Sequence, residues 1–196
     1  MTLVLNNPSK PHLKRWTKRE YHAEVDRGGF RQQRIFLYRG ELIEMPPMGS
    51  VPAFGITNLT EWLTQAFRPQ HRVRIQQPFE TPGESVPEPD GAVVTHQQMR
   101  RRPHPDQALF LIEVADSSIE LDREKAFDYA AAQVPEYWIV NMQDRNVEIY
   151  REPVADAAAV LGFRYASHRI CGEGETISSL LRADQSVAVA SLVAVE

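Results

Sequence analysis

The chain has 196 residues, and at about 150 residues per domain it is expected to fold as one domain over residues 1–196, with residues 1–16 as a loose arm. Its 42% hydrophobic and 24% charged content exclude a disordered or membrane-embedded chain, and the longest late apolar run, residues 187–195, is too short to span a bilayer. A net charge of −4 excludes coating of nucleic acid through bulk positive charge but leaves room for a local basic groove.

One cysteine, Cys171, excludes an internal disulfide or a cysteine-based metal cluster and fits a reducing compartment. Residues 1–7 have no basic segment leading into a long apolar core, so a cytoplasmic location is the expectation.

Thr17 and Glu20 have the spacing of a capping box, which predicts a short helix to about residue 26, stopped by Gly28 and Gly29. Residues 34–45 read as two β-rich runs folded at Arg39 and Gly40, and Pro46 and Pro47 end the second. Phe54, Leu59, Trp62, Leu63 and Phe67 fall near helical spacing, predicting an amphipathic helix over residues 53–67. Strands follow at residues 73–77, 90–94 and 109–114, the last almost continuously apolar, as a central strand buried on both faces should be.

Good helix formers over residues 122–132 predict a further helix closed by Val134 and Pro135, with Ser117 and Ser118 capping the loop that enters it. Strands are expected at 137–140, 147–150 and 163–168, with short β segments after them. This order implies an α/β fold in which a central mixed sheet carries helices on both faces, extended at its start by a helix and a β-hairpin.

Within that frame Glu113 stands out. A carboxylate after five apolar residues on a buried strand costs several kcal/mol unless it meets a cation, a proton or a metal. Asp90 opens the neighbouring run, and a twisted pairing would bring both carboxylates to one Mg²⁺ or Mn²⁺, ions that favour hard oxygen ligands. Lys125 shares a helical face with Asp122 and Tyr129, and pointed at the metal it would orient water or stabilise a phosphoryl transition state. Each also has a bland reading: Asp90 as a turn residue beside prolines, and Lys125 as half of a solvated pair with Asp122 worth about 0.3 to 0.5 kcal/mol. Arg100, Arg101 and Arg102 are either a phosphate-contacting patch or a solvated turn. The scattered histidines His22, His71, His96, His104 and His168 lack metal-ligand spacing.

Pro89 and Asp90 followed by Glu113 resemble the PD-(D/E)xK nuclease superfamily, and a longer block is similar to its Uma-two family of restriction endonucleases. That block runs Leu111-Ile112-Glu113-Val114-Ala115-Asp116-Ser117-Ser118, then Asp122-Arg123, Lys125, Tyr129 and Val134-Pro135-Glu136-Tyr137-Trp138-Ile139-Val140. Gly40-Glu41-Leu42-Ile43-Glu44-Met45 and Pro87-Glu88-Pro89-Asp90 fit the same pattern. The resemblance implies a restriction-endonuclease-like fold and a Mg²⁺-dependent endonuclease cutting DNA. Asp90 and Glu113 would be the metal ligands and Asp90, Glu113 and Lys125 the catalytic set.

In the superfamily the lysine stands two residues after the strand carboxylate, where this chain has Ala115, so the resemblance moves it to Lys125 on the next helix. Similar family members carry a histidine after the turn matching Met45-Pro46-Pro47-Met48-Gly49, and the matching residue here is Pro52. Glu44 and Gln77 match polar positions of the family and are candidate supporting residues. A homodimer is expected, because cutting both strands of a duplex needs two sites. Two alternatives stay open: a weak or inactive nuclease-fold module that binds nucleic acid or protein, and hydrolysis by a carboxylate pair without metal.

Overall fold

The computed structural model describes residues 13–100 and 104–195. Residues 1–12 of the expected arm and the side chains of Arg100, Arg101 and Arg102 lie outside the described residues, so the basic patch is not placed.

Helix α1 (Lys18–Arg27) starts at the capping box: the Glu20 amide donates to Thr17 Oγ1, and the Thr17 amide donates to Glu20 Oε2. It stops at Gly28, whose φ of 80° is open to glycine at little cost. Strands β1 (Ile35–Tyr38) and β2 (Glu41–Glu44) form the hairpin, with Arg39 and Gly40 both at positive φ, the backbone of a two-residue turn that matches strand twist.

Helix α2 (Ser50–Phe67) begins three residues before the expected start. Pro52 does not block it, because amides of the first turn have no partner within the helix. Strands β3 (Arg72–Ile75), β4 (Gly91–Val94) and β5 (Phe110–Ala115) follow, then α3 (Ile119–Ala131) and β6 (Glu136–Asn141). The long strands β7 (Asn146–Ala155) and β8 (Phe163–Gly172) pair in register from Asn146 opposite Gly172 to Ala155 opposite Phe163. Both outrun their expected ends, Pro153 included, because the partner strand supplies hydrogen bonds that local preference does not foresee. A small pair, β9 (Thr176–Ser178) and β10 (Ser186–Ala188), and helix α4 (Val189–Leu192) end the described chain.

The main sheet has the order β3-β4-β5-β6-β7-β8, and every neighbouring pair is antiparallel except β5 and β6, which are parallel and joined by α3. Strand alternation divides the core. Phe110, Ile112 and Val114 face Leu59, Leu63 and Phe67 of α2, with Trp62 stacked on Trp138 at 5.4 Å. Leu111 and Ala115 face Ala126, Tyr129 and Ala130 of α3. Each fully buried Leu or Phe contributes about 1.5 to 3 kcal/mol, so these two layers fix the helices on the sheet. Gly55 permits the closest approach of α2: a Cβ there would lie 2.7 Å from Val114 Cγ1.

The hairpin is tied across the edge of α3. Asp128, fully buried, accepts hydrogen bonds from Arg39 Nη2 at 2.8 Å and Ser85 Oγ at 3.1 Å. Among the described residues no helix is long and apolar enough to cross a membrane.

Candidate active site

The antiparallel register of β4 and β5 sets Gly91 opposite Ile112, and extending it by one residue sets Asp90 opposite Glu113, on the sheet face that meets α3. The Asp90 amide donates to Glu113 Oε2 at 3.2 Å, and the Val114 amide donates to Asp90 Oδ2 at 2.9 Å. Two carboxylates thus stand side by side where β4 opens and β5 runs under the helix.

Helix α3 brings the lysine to them. Lys125 Nζ donates to Glu113 Oε1 at 3.0 Å and to Asp122 Oδ1 at 2.9 Å, and Tyr129 Oη donates to the same Glu113 oxygen at 2.8 Å. Residues three before and four after Lys125 share its helical face, so this clustering follows from helix geometry once one residue points inward. The side chains of Lys125, Glu113 and Asp122 are only 5%, 4% and 2% exposed, which replaces the solvated Lys125–Asp122 pair of the bland reading with a buried triad. Leaving such a buried charge with no partner at all costs about 3 to 5 kcal/mol, an order of magnitude above the solvated value. Ser118 is the N-cap residue of α3, but its hydroxyl donates to Asp122 Oδ2 at 2.6 Å instead of capping.

The polar neighbour of Asp90 is Gln76, correcting the expectation for Gln77. The register pairs Ile75 with Gly91, so Gln76 falls opposite Asp90 on the same face and donates to its Oδ1 at 3.0 Å, while Gln77 is exposed. Glu44 is exposed at the rim of the same pocket, accepting from Gln33, and Pro52 lines its wall. The pocket has a volume of about 420 Å³. Asp90, Glu113, Asp122 and Lys125 belong to its lining, Arg34 and Glu88 line it from the hairpin side, and Met45, Pro46, Pro47 and Met48 form an apolar lip. Phe36 of the hairpin closes over the lysine, its ring centroid 5.4 Å from Nζ. No histidine lines it among the described residues; His22 instead pairs with Glu80 at 2.7 Å in a separate cavity.

Charge in the pocket is unbalanced. Burial pushes the Glu113 carboxyl up to about 8; Lys125 pulls against this, while Asp122 and Asp90 add to it. Burial also raises Asp90, against the hydrogen bond from Gln76, and raises Glu88 against Arg34. Burial disfavours the Lys125 ammonium, but Glu113 and Asp122 outweigh it and hold its pKa above the ordinary value. Ionising Asp90, Glu113 and Asp122 together would set three carboxylates around one ammonium, so a cation bound there would favour their ionised forms.

The donor set is hard oxygen, as Mg²⁺ and Mn²⁺ require. Among the described residues no group of three or more His, Cys, Asp and Glu side chains is arranged around a common ion position. Two adjacent carboxylates nonetheless fit Mg²⁺, which commonly takes one or two from the protein and fills its shell with water and phosphate oxygens.

A mixed sheet carrying paired acids at the start of one strand and within the next, with a helix packed across them, defines a restriction-endonuclease-like fold. The chain belongs to the Uma2 family, described as "Putative restriction endonuclease", whose model matches residues 20–190. A solved structure similar to it is that of a "putative nuclease belonging to DUF820" from Anabaena variabilis ATCC 29413, at 13% identity and a TM-score of 0.63. The match covers 81% of this chain and 89% of that one, a likeness of fold. The type IIG restriction endonuclease BpuSI aligns over 52% of this chain and 11% of its own, at 14% identity and a TM-score of 0.35. No curated protein sequence matches this chain.

Sequence reasoning left Asp122, Tyr129, Ser118 and Gln76 without a role in the site. The spacing of Asp122 and Tyr129 around Lys125 was the available signal; for Gln76 the signal was the strand register, which no local pattern gives.

Proposed function

We propose that this chain is a metal-dependent endonuclease hydrolysing phosphodiester bonds of DNA, acting through Asp90, Glu113 and Lys125. One observation carries the reading: these residues, from the start of one strand, its neighbour and the following helix, converge in a single pocket. Asp90 and Glu113 would hold Mg²⁺ or Mn²⁺, which when bound lowers the pKa of a water and neutralises charge on a phosphate.

The chain's own groups prepare this. Lys125 and Tyr129 both donate to Glu113 Oε1, which fixes the carboxylate's orientation and turns Oε2 toward Asp90. Gln76 and the Val114 amide do the same for Asp90. The Lys125 ammonium, kept charged by its two carboxylates, would donate to a phosphate oxygen or to the attacking water. Arg34 at the pocket wall would contact a neighbouring phosphate. Two copies related by a two-fold axis would serve the two strands of a duplex.

A second reading, a nuclease-fold module that binds without cutting, is favoured by the engagement of Lys125 with both Glu113 and Asp122 and by Pro52 on the pocket wall. Incubation of supercoiled plasmid with Mg²⁺ or Mn²⁺ separates the two. The endonuclease reading expects nicking that a chelator abolishes and that falls at least 100-fold in Asp90→Asn and in Lys125→Met. No nicking of plasmid, linear duplex or single strands, together with oligonucleotide binding that survives Glu113→Ala combined with Lys125→Ala, would establish the binding module.

A further inference from the structure

We propose that Asp122 is a positioning residue that holds the Lys125 ammonium so that the Glu113 carboxylate stays available to a divalent cation; this rests on the cation site proposed above. Lys125 and Glu113 alone would be a charge-complete buried pair. A second buried carboxylate beside them, 2% exposed, adds desolvation cost with no further cation to match it, so it is a poor device for stability. It is a good device if Glu113 must share its charge, because the ammonium then keeps a counter-ion of its own 2.9 Å away.

The surroundings hold Asp122 far more tightly than pairing with lysine requires. Ser118 Oγ donates to its Oδ2 at 2.6 Å, forgoing the usual N-cap bond to the helix amides, which is worth about 1 kcal/mol elsewhere. The Asp122 amide donates to the Ser118 carbonyl at 3.0 Å, and Tyr137 Oη donates to the Asp122 carbonyl at 2.9 Å. Both the backbone and the free carboxylate oxygen are thus fixed, leaving Oδ1 directed at Lys125. On the other side of the ammonium, Tyr129 donates to the same Glu113 oxygen that Lys125 uses, so that oxygen keeps a donor when the lysine leans toward Asp122.

A double-mutant cycle tests this with Mn²⁺ alone as the probe, its affinity read by isothermal titration calorimetry and folding by circular dichroism. Asp122→Asn is expected to weaken Mn²⁺ binding about tenfold, because Lys125 passes wholly to Glu113; in a Lys125→Met background the same change should weaken it less than about twofold. An equal factor in both backgrounds makes Asp122 a plain negative charge and overturns the proposal, as does an unchanged affinity in Asp122→Asn or the absence of Mn²⁺ binding in the wild type. Should Asp122→Asn fail to fold, Ser118→Ala decides: it keeps every charge and releases one oxygen, so a two- to threefold loss of affinity is expected and no loss overturns. Plasmid nicking in the same samples keeps the readings apart: coupling in Mn²⁺ binding without nicking preserves this role and removes the nuclease.

Discussion

Replacing Glu113 with Gln should make the protein more stable while removing its proposed activity. The Glu113 carboxyl sits at about 8 in the folded chain against an ordinary 4.5, with 3% of the residue exposed. A carboxyl whose folded pKa is raised contributes stability that is fully present below the unfolded value and is lost as pH rises through the folded one, here between 4.5 and about 8. At about 1.4 kcal/mol per pH unit the loss by pH 7 is on the order of 3 kcal/mol. Glutamine does not titrate and keeps one carboxylate, Asp122, for the one ammonium. Its amide oxygen can accept from Lys125 and Tyr129, while its NH₂ would face the Asp90 amide and forfeit that bond, about 1 kcal/mol. The net gain is about 2 kcal/mol at pH 7, or roughly 4 to 8 °C in Tm for a chain of this size. Urea denaturation of both proteins at pH 4.5, 6, 7 and 8 measures it: the Gln variant should lie about 1 kcal/mol below the wild type at the acid end, cross it, and lie increasingly above it as pH rises. A separation that does not change with pH, or a Gln variant weaker at pH 8, would refute this account of Glu113.

Millimolar Mg²⁺ should raise the Tm of the wild type and leave Glu113→Gln nearly unmoved, since a ligand stabilises only the state that binds it; differential scanning fluorimetry reads both. Arg34→Ala is expected to raise KM several-fold with little change in kcat and to shallow the salt dependence of DNA binding by about one phosphate contact, measured by fluorescence anisotropy. Thr17→Ala should cost about 1 kcal/mol by removing the α1 capping box, seen in chemical denaturation with nicking unaffected. Gly55→Ala should cost about 1 to 3 kcal/mol, because the new Cβ falls 2.7 Å from Val114 Cγ1 and 2.8 Å from Met142 Sδ.

Much of the frame was legible because its signals are local. The Thr17 and Glu20 box, the Arg39-Gly40 turn and the apolar run before Glu113 each report on a few adjacent residues. The missed boundaries have local causes as well: α2 starts early because a first-turn proline is harmless, and α3 starts at Ile119, directly after the expected cap residue Ser118 and not at the first good helix formers from residue 122. Strands β7 and β8 extend past the pattern because their partner lies elsewhere in the chain. The same distinction explains Gln77 against Gln76, where one step of register moves a side chain to the opposite face.

By itself the sequence determined that Glu113 needed a cation, a proton or a metal, since an acid within an apolar strand is costly whatever surrounds it, and that Asp122, Lys125 and Tyr129 share one face of a helix. Which way that face turns was decided only by the tertiary structure. The parallel β5-α3-β6 unit lays α3 across the sheet so that its polar face covers Glu113, and the β4 and β5 register sets Asp90 beside it. Helical spacing constrains neighbours within a turn, whereas the meeting of Asp90, Glu113 and Lys125 depends on strand pairing and layer packing summed over the whole sheet.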